Sequence, residues 1–447
     1  MSGSPSGPES IDLIETYRRH LSRGRALFGQ VSGGLTEVGS EGAWVSTADG
    51  RRLLDCGGYG VFLHGHRHPR VVAAVAEQLH RHPLATRVLL EPVTAAAAAT
   101  LASISPAGLP HVHFVNSGAE ATETALKLAR ALGHRTVIAT HGGFHGKTLG
   151  ALSATGNPTY QDPFRPLLLA VHVPYGDLAA ITEAIAARGA DGCVLIEPIQ
   201  GEAGVVLPPP GYLTGVAEAC RRHGALLVVD EIQTGLGRTG RWWGGDHDGV
   251  TPDVVLVGKG LSGGVVPVAA VLASRQAYAP FDADPFLHSS TFAGSPLACA
   301  AARAAVETIA AEGLHERARE IGDRLREAIG GVLVDRLGGA VLEVRGRGLL
   351  IGAELAQPGL VGELVLELLH EGVVVSTSLN EHRVLRFTPP AILTKSEETS
   401  AIAAVDRAAR NVAARLRPAP THLPPLPAPP ELTTTAPPEL TTTGGHR

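Results

Sequence analysis

The sequence predicts an α/β protein with a mainly parallel sheet flanked by helices, followed by a smaller α+β region. Short runs of continuous apolar residues alternate with helical patterns along the middle of the 447-residue chain, as expected for strands that are buried on both faces. The apolar content of 44%, with only 18% charged residues, indicates a compact globular protein. From about residue 311 the regular alternation ends, which indicates a second architecture.

The elements of the larger region follow from these patterns in chain order. Apolar residues at helical spacing predict one short helix over 11–27. The strands predicted after it are 111–115, 136–139, 193–196, 226–229, 254–257 and 268–272. The helices predicted between them are 119–132, 178–188, 212–223 and 296–311. Because ligands bind beyond the carboxyl ends of strands in such sheets, we expect the site at that edge.

The remainder of the chain predicts shorter elements and two unstructured ends. Helices are predicted at 314–329 and 360–370, and strands at 348–354, 373–375 and 384–387. The tail is rich in Pro and Thr and contains APPELTTT twice in succession, so it is expected to stay disordered. The resulting division is a flexible N-terminus 1–10, an N-terminal segment 11–60, a large domain 61–300, a small domain 301–416 and the tail 417–447.

Composition excludes several classes of partner and predicts a cytoplasmic protein. A formal charge of −5, without a basic stripe, argues against nucleic acid and anionic membrane surfaces. The longest alanine-rich run is too short to span a bilayer, and the first residues do not form a signal peptide. The four cysteines are scattered without a C-x-x-C pair and therefore predict reduced thiols.

A lysine stands at the end of the apolar run 254–257. Only four of the 38 Lys+Arg residues are lysine, and Lys259 is one of them. A lysine amine can become neutral and nucleophilic, which a guanidinium cannot; the alternative is a lysine that extends to the surface. The residues 260–264 also match G-x-S-x-G, so Ser262 is a second candidate nucleophile.

Other unusual residues follow the other predicted strands. The turn Ser117-Gly118-Ala119 opens a helix and suits a phosphate, although an ordinary serine N-cap has the same pattern. Phe144 among glycines can lie against a planar ring or fill a surface gap. Asp230 ends a buried strand, where a protonated pyridine nitrogen could neutralise it, as could a structural partner.

Glu197 and Glu202 form a pair of carboxylates after the strand 193–196. They are compatible with acid–base chemistry, although a solvated loop is the commoner explanation. A phosphate turn, a stacking aromatic, an aspartate and a buried lysine are together the parts that hold pyridoxal phosphate as a Schiff base. The combination therefore predicts a pyridoxal-phosphate enzyme.

Long motifs resemble the class III aminotransferases, a family that includes ornithine, acetylornithine, 4-aminobutyrate and putrescine aminotransferases. The matching segments include FVNSGAEATETALKLAR, IEPIQGEAGVVLPPPGYL, LVVDEIQTGLGRTG and VGKGLSGGVVPVAA, and the resemblance covers roughly 35–416. The segments GGFHGKTLGALSATG, PFLHSSTFAGSPLACAAA and SLNEHRVLRFTPP are most similar to the putrescine or diamine branch. The resemblance implies pyridoxal-phosphate fold type I, with a seven-stranded sheet and a small domain built from the N- and C-terminal segments.

The resemblance also implies a role for individual residues. Lys259 would carry the cofactor as a Schiff base and move a proton, and Asp230 would pair with the pyridine nitrogen. The other implied cofactor contacts are Ser117, Gly118 and Ala119 at the phosphate, Phe144 and His145 at the ring, Gln233 near the ring hydroxyl, and Thr291 at the phosphate of the neighbouring subunit. The last contact implies a homodimer with active sites shared across the interface.

The implied reaction is an ω-aminotransferase reaction. Glu202 and Arg386 match a pair that switches between amine and 2-oxo acid substrates, which favours a ping-pong transfer from a putrescine-like amine to 2-oxoglutarate. Lys147 replaces an arginine of ornithine-type members, and Tyr59 matches a substrate-lining aromatic. An enzyme of secondary metabolism that aminates a larger aldehyde or ketone is the alternative. Aminomutases and decarboxylases share nearly all of these residues.

Three patterns suggest different chemistry. A hydrolase elbow at Ser262 requires a helix after the turn, but the following residues predict a strand. The G-x-G-x-x-G at 235–240 neither follows a strand directly nor opens a helix, as a dinucleotide site requires. His64, His66 and His68 are predicted to lie in a turn rather than on a helix and have no nearby carboxylate cluster, so no metal site is expected.

Overall fold

The computed structural model describes residues 12–106 and 108–416. The helices are α1 Leu13–His20, α2 Arg23–Val31, α3 Pro69–Arg81, α4 Pro92–Ser103, α5 Gly118–Ala131, α6 Leu149–Ala154, α7 Pro158–Gln161, α8 Leu178–Arg188, α9 Tyr212–His223, α10 Arg275–Ala283, α11 Pro296–Glu312, α12 Leu314–Leu337, α13 Pro358–His370 and α14 Lys395–Leu416. The strands are β1 Glu37–Glu41, β2 Trp44–Thr47, β3 Arg52–Asp55, β4 His111–Val115, β5 Thr136–Thr140, β6 Ala170–Val173, β7 Gly192–Ile196, β8 Leu226–Asp230, β9 Val254–Val257, β10 Ala269–Ala273, β11 Val341–Arg347, β12 Leu350–Leu355, β13 Val373–Val374, β14 Ser376–Thr377 and β15 Val384–Phe387.

The main sheet has seven strands in the order β4-β10-β9-β8-β7-β5-β6. Strands β5 to β9 pair in parallel with one another, and β10 is antiparallel to both β4 and β9. The fold class predicted from the sequence is therefore confirmed. All residues of β5, β7, β8, β9 and β10 are buried, since helices cover both faces of a sheet of this kind.

The two faces of the main sheet have separate apolar cores. Alternate residues of the strands pack with α5 and α10 on one face, where Leu128 and Phe281 are buried. The other face packs with α8 and α9, where Ile185 and Val216 are buried. Because successive side chains of a strand point to opposite faces, continuous apolar strands are required for both cores.

Two smaller sheets lie outside the main sheet. The first has the order β1-β2-β3-β13, and its parallel pair joins Leu54 of β3 to Val373 of β13. The second is antiparallel, with the order β11-β12-β15-β14. The helices α12, α13 and α14 pack beside these strands and contribute to the largest apolar cluster. The division into domains stays a prediction, and α11 runs across the position where we place the boundary.

Several element predictions were wrong in detail. The region predicted as one helix over 11–27 forms α1 and α2, which are separated at Leu21 and Ser22, where Ser22 caps the second helix. Helix α12 continues eight residues beyond the predicted end at 329, through two glycines, because Leu333 and Leu337 are still buried on its apolar face. The strand β6 was missed because only its last residue is fully buried.

The predictions for residues 1–11 and for the tail 417–447 lie outside the described residues. Among the residues that the structure describes, none of the helices combines the length and the hydropathy that a bilayer span requires.

Candidate active site

Five strands of the main sheet deliver residues of the candidate site to its carboxyl edge. Ser117 follows β4, Phe144 follows β5, Glu197 follows β7, Asp230 ends β8 and Lys259 follows β9. Parallel strands place their carboxyl ends at the same edge. Chain topology alone therefore brings together residues that are more than a hundred positions apart in the sequence.

Lys259 begins a short 3₁₀ turn that is separated from β9 by Gly258. Its backbone φ of 44° lies in the left-handed region, which non-glycine residues rarely adopt. Strained conformations of this kind cluster at functional sites. Burial lowers the pKa of the Lys259 amine, while the negative charge of Glu202 opposes this shift and the positive charge of Arg386 adds to it. A neutral amine is therefore easier to form here than in water.

Asp230 and His145 form a buried pair next to this lysine. His145 Nδ1 lies 2.8 Å from Asp230 Oδ2, and both side chains are almost fully buried. Burial acts to lower the pKa of His145, but the hydrogen bond and the charge of Asp230 outweigh it and raise the pKa. The backbone of His145 is also held in place, because Thr122 Oγ1 donates to the His145 carbonyl at 2.8 Å. The pair therefore presents an oriented carboxylate.

Helix α5 begins at the same edge and points its N-terminus into the site. Ser117 is its N-cap, with the hydroxyl accepting from the Glu120 N–H at 3.2 Å. Gly146 has φ of 122°, and a Cβ there would lie 2.8 Å from the Cβ of Ala119. This close approach requires glycine, and it packs the Phe144 loop against the first turn of the helix. Free backbone N–H groups and the helix dipole make this end suitable for an anion.

Glu197 was misjudged from the sequence, where a solvated loop was the commoner explanation for it. It is buried, and its two oxygens accept from the backbone N–H groups of Phe144 at 3.0 Å and Gly201 at 3.3 Å. Burial raises the pKa of Glu197 to about 7, while His145 acts to lower it and Asp230 to raise it. This carboxyl group therefore joins the loop that carries Phe144 to the turn that carries Glu202. Its position at a strand end was the only sequence signal.

The loop that carries Tyr59 packs against Gln233. Gln233 is buried, and its Nε2 has no hydrogen-bond partner among the described residues. A Cβ on Gly60 would lie 3.8 Å from this nitrogen, which places the Tyr59 loop beside Gln233. Tyr59 has φ of 51° and a largely exposed side chain. An unpaired buried amide is costly, so it marks a place where a ligand group can accept a hydrogen bond.

Glu202 and Arg386 form a second deeply buried pair near Lys259. Arg386 Nη1 lies 2.8 Å from Glu202 Oε1, with side-chain exposures of 1% and 7%. The other oxygen of Glu202 accepts from the Leu379 N–H at 3.0 Å. Arg386 lies on β15 opposite Gly352 of β12, and a Cβ on Gly352 would approach Val205 to 3.0 Å. The glycine thus lets the second small sheet bring the arginine to the carboxylate.

Lys147 lies at the surface, on the loop that carries Phe144. Its ammonium is 4.0 Å from the centre of the Tyr160 ring and 5.9 Å from that of Phe144. Tyr160 in turn donates its hydroxyl hydrogen to the Leu379 carbonyl at 3.2 Å. The side chain of Tyr160 was not identified from the sequence, because an isolated tyrosine in a short helix carries no pattern.

Thr291 lies in the connection between α10 and α11, and its side chain is exposed. The neighbouring Ser290 hydroxyl accepts from Asn116 Nδ2 at 3.2 Å, next to the N-terminus of α5. The contact of Thr291 with a second subunit stays a prediction.

The patterns that suggested different chemistry take structural roles. Ser262 Oγ accepts from the Gly264 N–H at 3.1 Å, and the strand β10 follows rather than a helix. Arg238, inside the G-x-G-x-x-G, is fully buried and donates to the carbonyls of Gly60, Leu349 and Pro389. Residues 235–240 form turns and do not open a helix.

The histidines of the 64–68 segment bind separate partners. His64 contacts the Ala305 carbonyl, His66 contacts Asp55, and His68 lies 3.2 Å from a glutamate of α11. Within residues 12–106 and 108–416, no group of three potential ligands is arranged to hold a metal ion.

The residues at the carboxyl edge fit pyridoxal phosphate. The unpaired amide of Gln233 can donate to a ring oxygen, the N-terminus of α5 suits the phosphate, and Asp230 offers a buried carboxylate. This fold and site define an enzyme that depends on pyridoxal phosphate. The aminotransferase class-III family model matches residues 34–409, and the chain belongs to that family.

Solved structures of aminotransferases share the fold over nearly the whole chain. The ornithine aminotransferase of Toxoplasma gondii is 33% identical, with a TM-score of 0.81, over 91% of this chain and 99% of that one, and pyridoxal phosphate partially occupies its active site. An (S)-enantioselective omega-transaminase from Thermomicrobium roseum is 30% identical, with a TM-score of 0.82, over 91% and 100%. An amine transaminase from an uncultivated Pseudomonas species is 28% identical, with a TM-score of 0.79, over 85% and 95%. The protein is therefore a class III aminotransferase.

Proposed function

We propose that this aminotransferase transfers a terminal amino group from a putrescine-like diamine, or a related primary amine, to a 2-oxo acid such as 2-oxoglutarate. The observation that carries the proposal is the buried pair of Glu202 and Arg386 beside Lys259. A 2-oxo acid brings a carboxylate that can replace Glu202 as the partner of Arg386. An amine without that carboxylate leaves the pair closed and neutral. One site can thus accept both substrates in turn, as a ping-pong reaction requires.

The residues around the cofactor would divide its binding among them. When bound, pyridoxal phosphate supplies an electron sink that stabilises negative charge on the substrate carbon. Lys259 would hold the cofactor covalently. Asp230, oriented by His145, would pair with the pyridine nitrogen. The remaining contacts that we propose are Ser117, Gly118 and Ala119 at the phosphate, Phe144 and His145 at the ring, and Gln233 at the ring hydroxyl.

Lys259 would also move the proton of the reaction. Its lowered pKa makes the neutral amine accessible, so that Nζ can accept a proton from the substrate carbon and return it to another position. Two further acidic groups, Glu197 and Glu202, contribute negative charge at this lysine. They favour the protonated form and would thereby prevent its pKa from falling too far.

The proposed preference for a diamine is supported by the position and chemistry of Lys147. Its ammonium lies over the face of Tyr160, and an ammonium cannot form the bidentate contact with a carboxylate that a guanidinium forms. A substrate with a second carboxylate would therefore gain less here than at an arginine. Tyr59 lies at the exposed side of the Gln233 loop, where it could contact the far end of the amine.

A second candidate is the amination of a larger aldehyde or ketone. The exposed position of Tyr59 leaves room beside it, and the similar omega-transaminase and amine transaminase structures favour this alternative. The two candidates differ in the amino acceptor. Turnover measured with several amine donors, against a panel of aldehydes and against 2-oxo acids, would separate them. Turnover of bulky aldehydes far above 2-oxoglutarate would favour this alternative.

We further propose a homodimer in which Thr291 reaches the phosphate at the partner's site. The exposed apolar side chains of Leu89, Leu90 and Phe292 support a buried partner surface. Arg87 Nη2 donates to the Ala293 carbonyl at 2.7 Å, which joins the two segments that carry them. The four cysteines are buried and free of disulfides, in keeping with a cytoplasmic location.

The decisive experiment replaces Arg386 with alanine and measures the two half-reactions separately in single turnovers. Removing one partner of a buried, hydrogen-bonded charge pair costs about 2–5 kcal/mol. We expect the 2-oxoglutarate half-reaction to fall by about 30-fold or more, and the putrescine half-reaction to fall much less.

Arg383→Ala is the matched control, because Arg383 lies nearby in the chain but pairs with Glu381 and Glu354 at the surface. The double variant Glu202→Gln/Arg386→Met removes both charges and tests whether an unpaired Glu202 causes the loss. Equal losses in both half-reactions of the double variant would contradict the proposal.

A further inference from the structure

The connection that carries Thr291 is held to its own subunit at both ends. We call residues 286–294 the Thr291 segment. At one end, the contact of Arg87 with the Ala293 carbonyl holds the segment, and Thr94 Oγ1 lies 3.1 Å from the Gly294 carbonyl, sharing its one hydrogen with Glu91. At the other end, Lys127 Nζ donates to the Leu287 carbonyl at 3.3 Å. Thr291 itself lies between these anchors with an exposed side chain.

His288 lies in the second anchor and is held from both ring nitrogens. Nδ1 lies 3.0 Å from Lys127 Nζ, and Nε2 lies 3.0 Å from Thr124 Oγ1. An ammonium has only donors, so Nδ1 must accept and the imidazole must be neutral with its hydrogen on Nε2. Thr124 Oγ1 accepts that hydrogen and donates its own to the Glu120 carbonyl at 2.8 Å. The Nε2–H tautomer of His288 therefore satisfies all three hydrogen bonds, from Lys127 through His288 and Thr124 to Glu120.

We propose that His288 is a positioning residue that fixes the Thr291 segment and releases it on protonation. The proposal rests on the proposed function, in which Thr291 binds the phosphate at the partner's site. Protonation puts a hydrogen on Nδ1, which then faces the Lys127 ammonium at the same 3.0 Å. The hydrogen bond is replaced by repulsion between two cations, and the segment loses this anchor. Lys127, one of four lysines, thereby gains a role that its sequence pattern did not indicate.

Helix α5 gives this anchor a further consequence. Its first residues form the phosphate turn of its own site, and Glu120, Thr124 and Lys127 recur along one face as the anchor of the Thr291 segment. The same helix would therefore serve the phosphate in its own subunit and, through the segment, the phosphate in the partner. A loosened anchor would weaken cofactor binding without touching any residue of the Lys259 site.

The charges around His288 set the direction of its pH dependence. Burial lowers the pKa of His288, Lys127 lowers it further, and Glu120 and Glu123 of α5 oppose the shift. From β4, the His113 ring stacks on His288 at 5.5 Å. Burial lowers the pKa of His113 to about 4, with contributions from His288, Arg87 and Lys127, so this imidazole favours its neutral form.

Helix α10 contributes two further neighbours on the same side. Tyr278 Oη lies 3.2 Å from His113 Nδ1, and the Phe281 ring lies 5.7 Å from the His288 ring. Neither group changes charge in the acidic range. The anchor is therefore complete above the ordinary histidine pKa of about 6.5 and is lost as the pH falls through the lower pKa of the folded protein.

Hydrogen exchange of the Thr291 segment, read by mass spectrometry on the full-length holoenzyme, tests the anchor directly. A hydrogen bond contributes about 1 kcal/mol or somewhat more, so its loss should raise exchange, corrected for the intrinsic rate, by about 10-fold. We expect this increase in the wild type between a measurement at about pH 8 and one below the lowered pKa of His288, which is located by following exchange downward from about pH 6.5. His288→Leu should exchange quickly at both pH values.

His288→Asn provides the conservative control, because its amide oxygen can still accept from Lys127 but does not titrate. It should keep the segment protected at both pH values. Lys127→Met should loosen the segment at about pH 8 and abolish the acid step, since no cation then faces His288. An acid step of the same size in His288→Asn, or an unchanged segment in His288→Leu, would overturn the proposal.

Thr291→Val separates this inference from the proposed function. We expect it to weaken pyridoxal phosphate binding to the apoenzyme by about 10-fold at every pH, as the loss of one hydrogen bond predicts, without loosening the segment. Unchanged affinity in Thr291→Val would refute the phosphate contact across the interface. The exchange data on His288 would still decide the anchor.

Discussion

Two arginine–carboxylate pairs of similar length lie in different surroundings. Arg386 and Glu202 approach to 2.8 Å with side-chain exposures of 1% and 7%, whereas Arg336 and Asp406, between α12 and α14, approach to 2.7 Å with 40% and 23%. Contact geometry alone cannot distinguish them. Water screens the exposed outer pair, Arg336 and Asp406, and competes for its hydrogen bonds. The buried inner pair, Arg386 and Glu202, is desolvated, so removing either partner leaves an uncompensated buried charge. Burial, rather than distance, therefore distinguishes the pair to which we assign a function.

Lys259→Ala should give the largest effect among the buried charges of the site. The variant would lose both the proposed covalent hold on the cofactor and the amine that we propose moves the proton. General acid–base catalysis alone contributes about 10²–10⁴-fold, so turnover should fall by at least that factor. The purified variant should also lack the visible absorption of the lysine-bound cofactor. Both can be measured by steady-state kinetics and absorption spectroscopy.

Lys395→Ala is the matched control for that experiment. Its amine is exposed and lies 3.5 Å from Glu398 on α14, so the variant should keep both the colour and the turnover of the wild type. Retention of the visible band in Lys259→Ala would show that a different group carries the cofactor.

The same contrast explains what the sequence could predict. Strands such as β7 and β9 were recognised because every residue in them is apolar and buried. Lys259 and Asp230 stood out because a charge directly after such a strand breaks the pattern. Strand β1 was missed because nearly all of its residues are exposed, so its sequence has no apolar run that a charge could interrupt.

The role of Glu197 could not be predicted because it depends on contacts between distant segments. Its two acceptors meet N–H groups from Phe144 and Gly201, and nothing in the local sequence specifies which loop approaches it. The anchor at His288 has the same origin, since Lys127 lies 161 positions away in the chain. Periodicity reports whether a residue is buried, but the identity of its partner comes from the tertiary fold.

Glu197→Gln should have the next largest effect, and it should depend on pH. Burial raises the pKa of Glu197 to about 7, so the folded protein binds a proton that the unfolded chain, with an ordinary value near 4.5, releases. Its contribution to stability is full at acidic pH and is lost as the pH rises through about 7. Glutamine cannot ionise, so this part of the change of unfolding free energy with pH should vanish. Thermal unfolding measured at several pH values across that range checks it.

The glutamine also has only one acceptor oxygen for two backbone N–H groups. Losing one of these hydrogen bonds costs about 1–3 kcal/mol, and turnover should fall by about 5-fold or more as the Phe144 loop shifts. Glu231→Gln is the matched control: burial likewise raises the pKa of Glu231 to about 7, but its oxygens accept from Gly244 and Gly245. Glu231→Gln should change the pH dependence of the free energy of unfolding and leave the turnover nearly intact. A persistent slope in Glu197→Gln would show that its ionisation does not limit stability.

Arg336→Ala should have the smallest effect and is the strictest test of the comparison. An exposed pair contributes about 0–1 kcal/mol to the free energy of unfolding, and salt reduces even that amount. A double-mutant cycle with Asp406→Ala, read by denaturant unfolding at low and high salt, isolates the coupling; Asp406 also contacts Arg410, which the cycle leaves in place in every variant. Coupling much larger than 1 kcal/mol at high salt would mean that exposure does not weaken the outer pair. The function assigned to Arg386 and Glu202 would then need support from their position beside Lys259 alone.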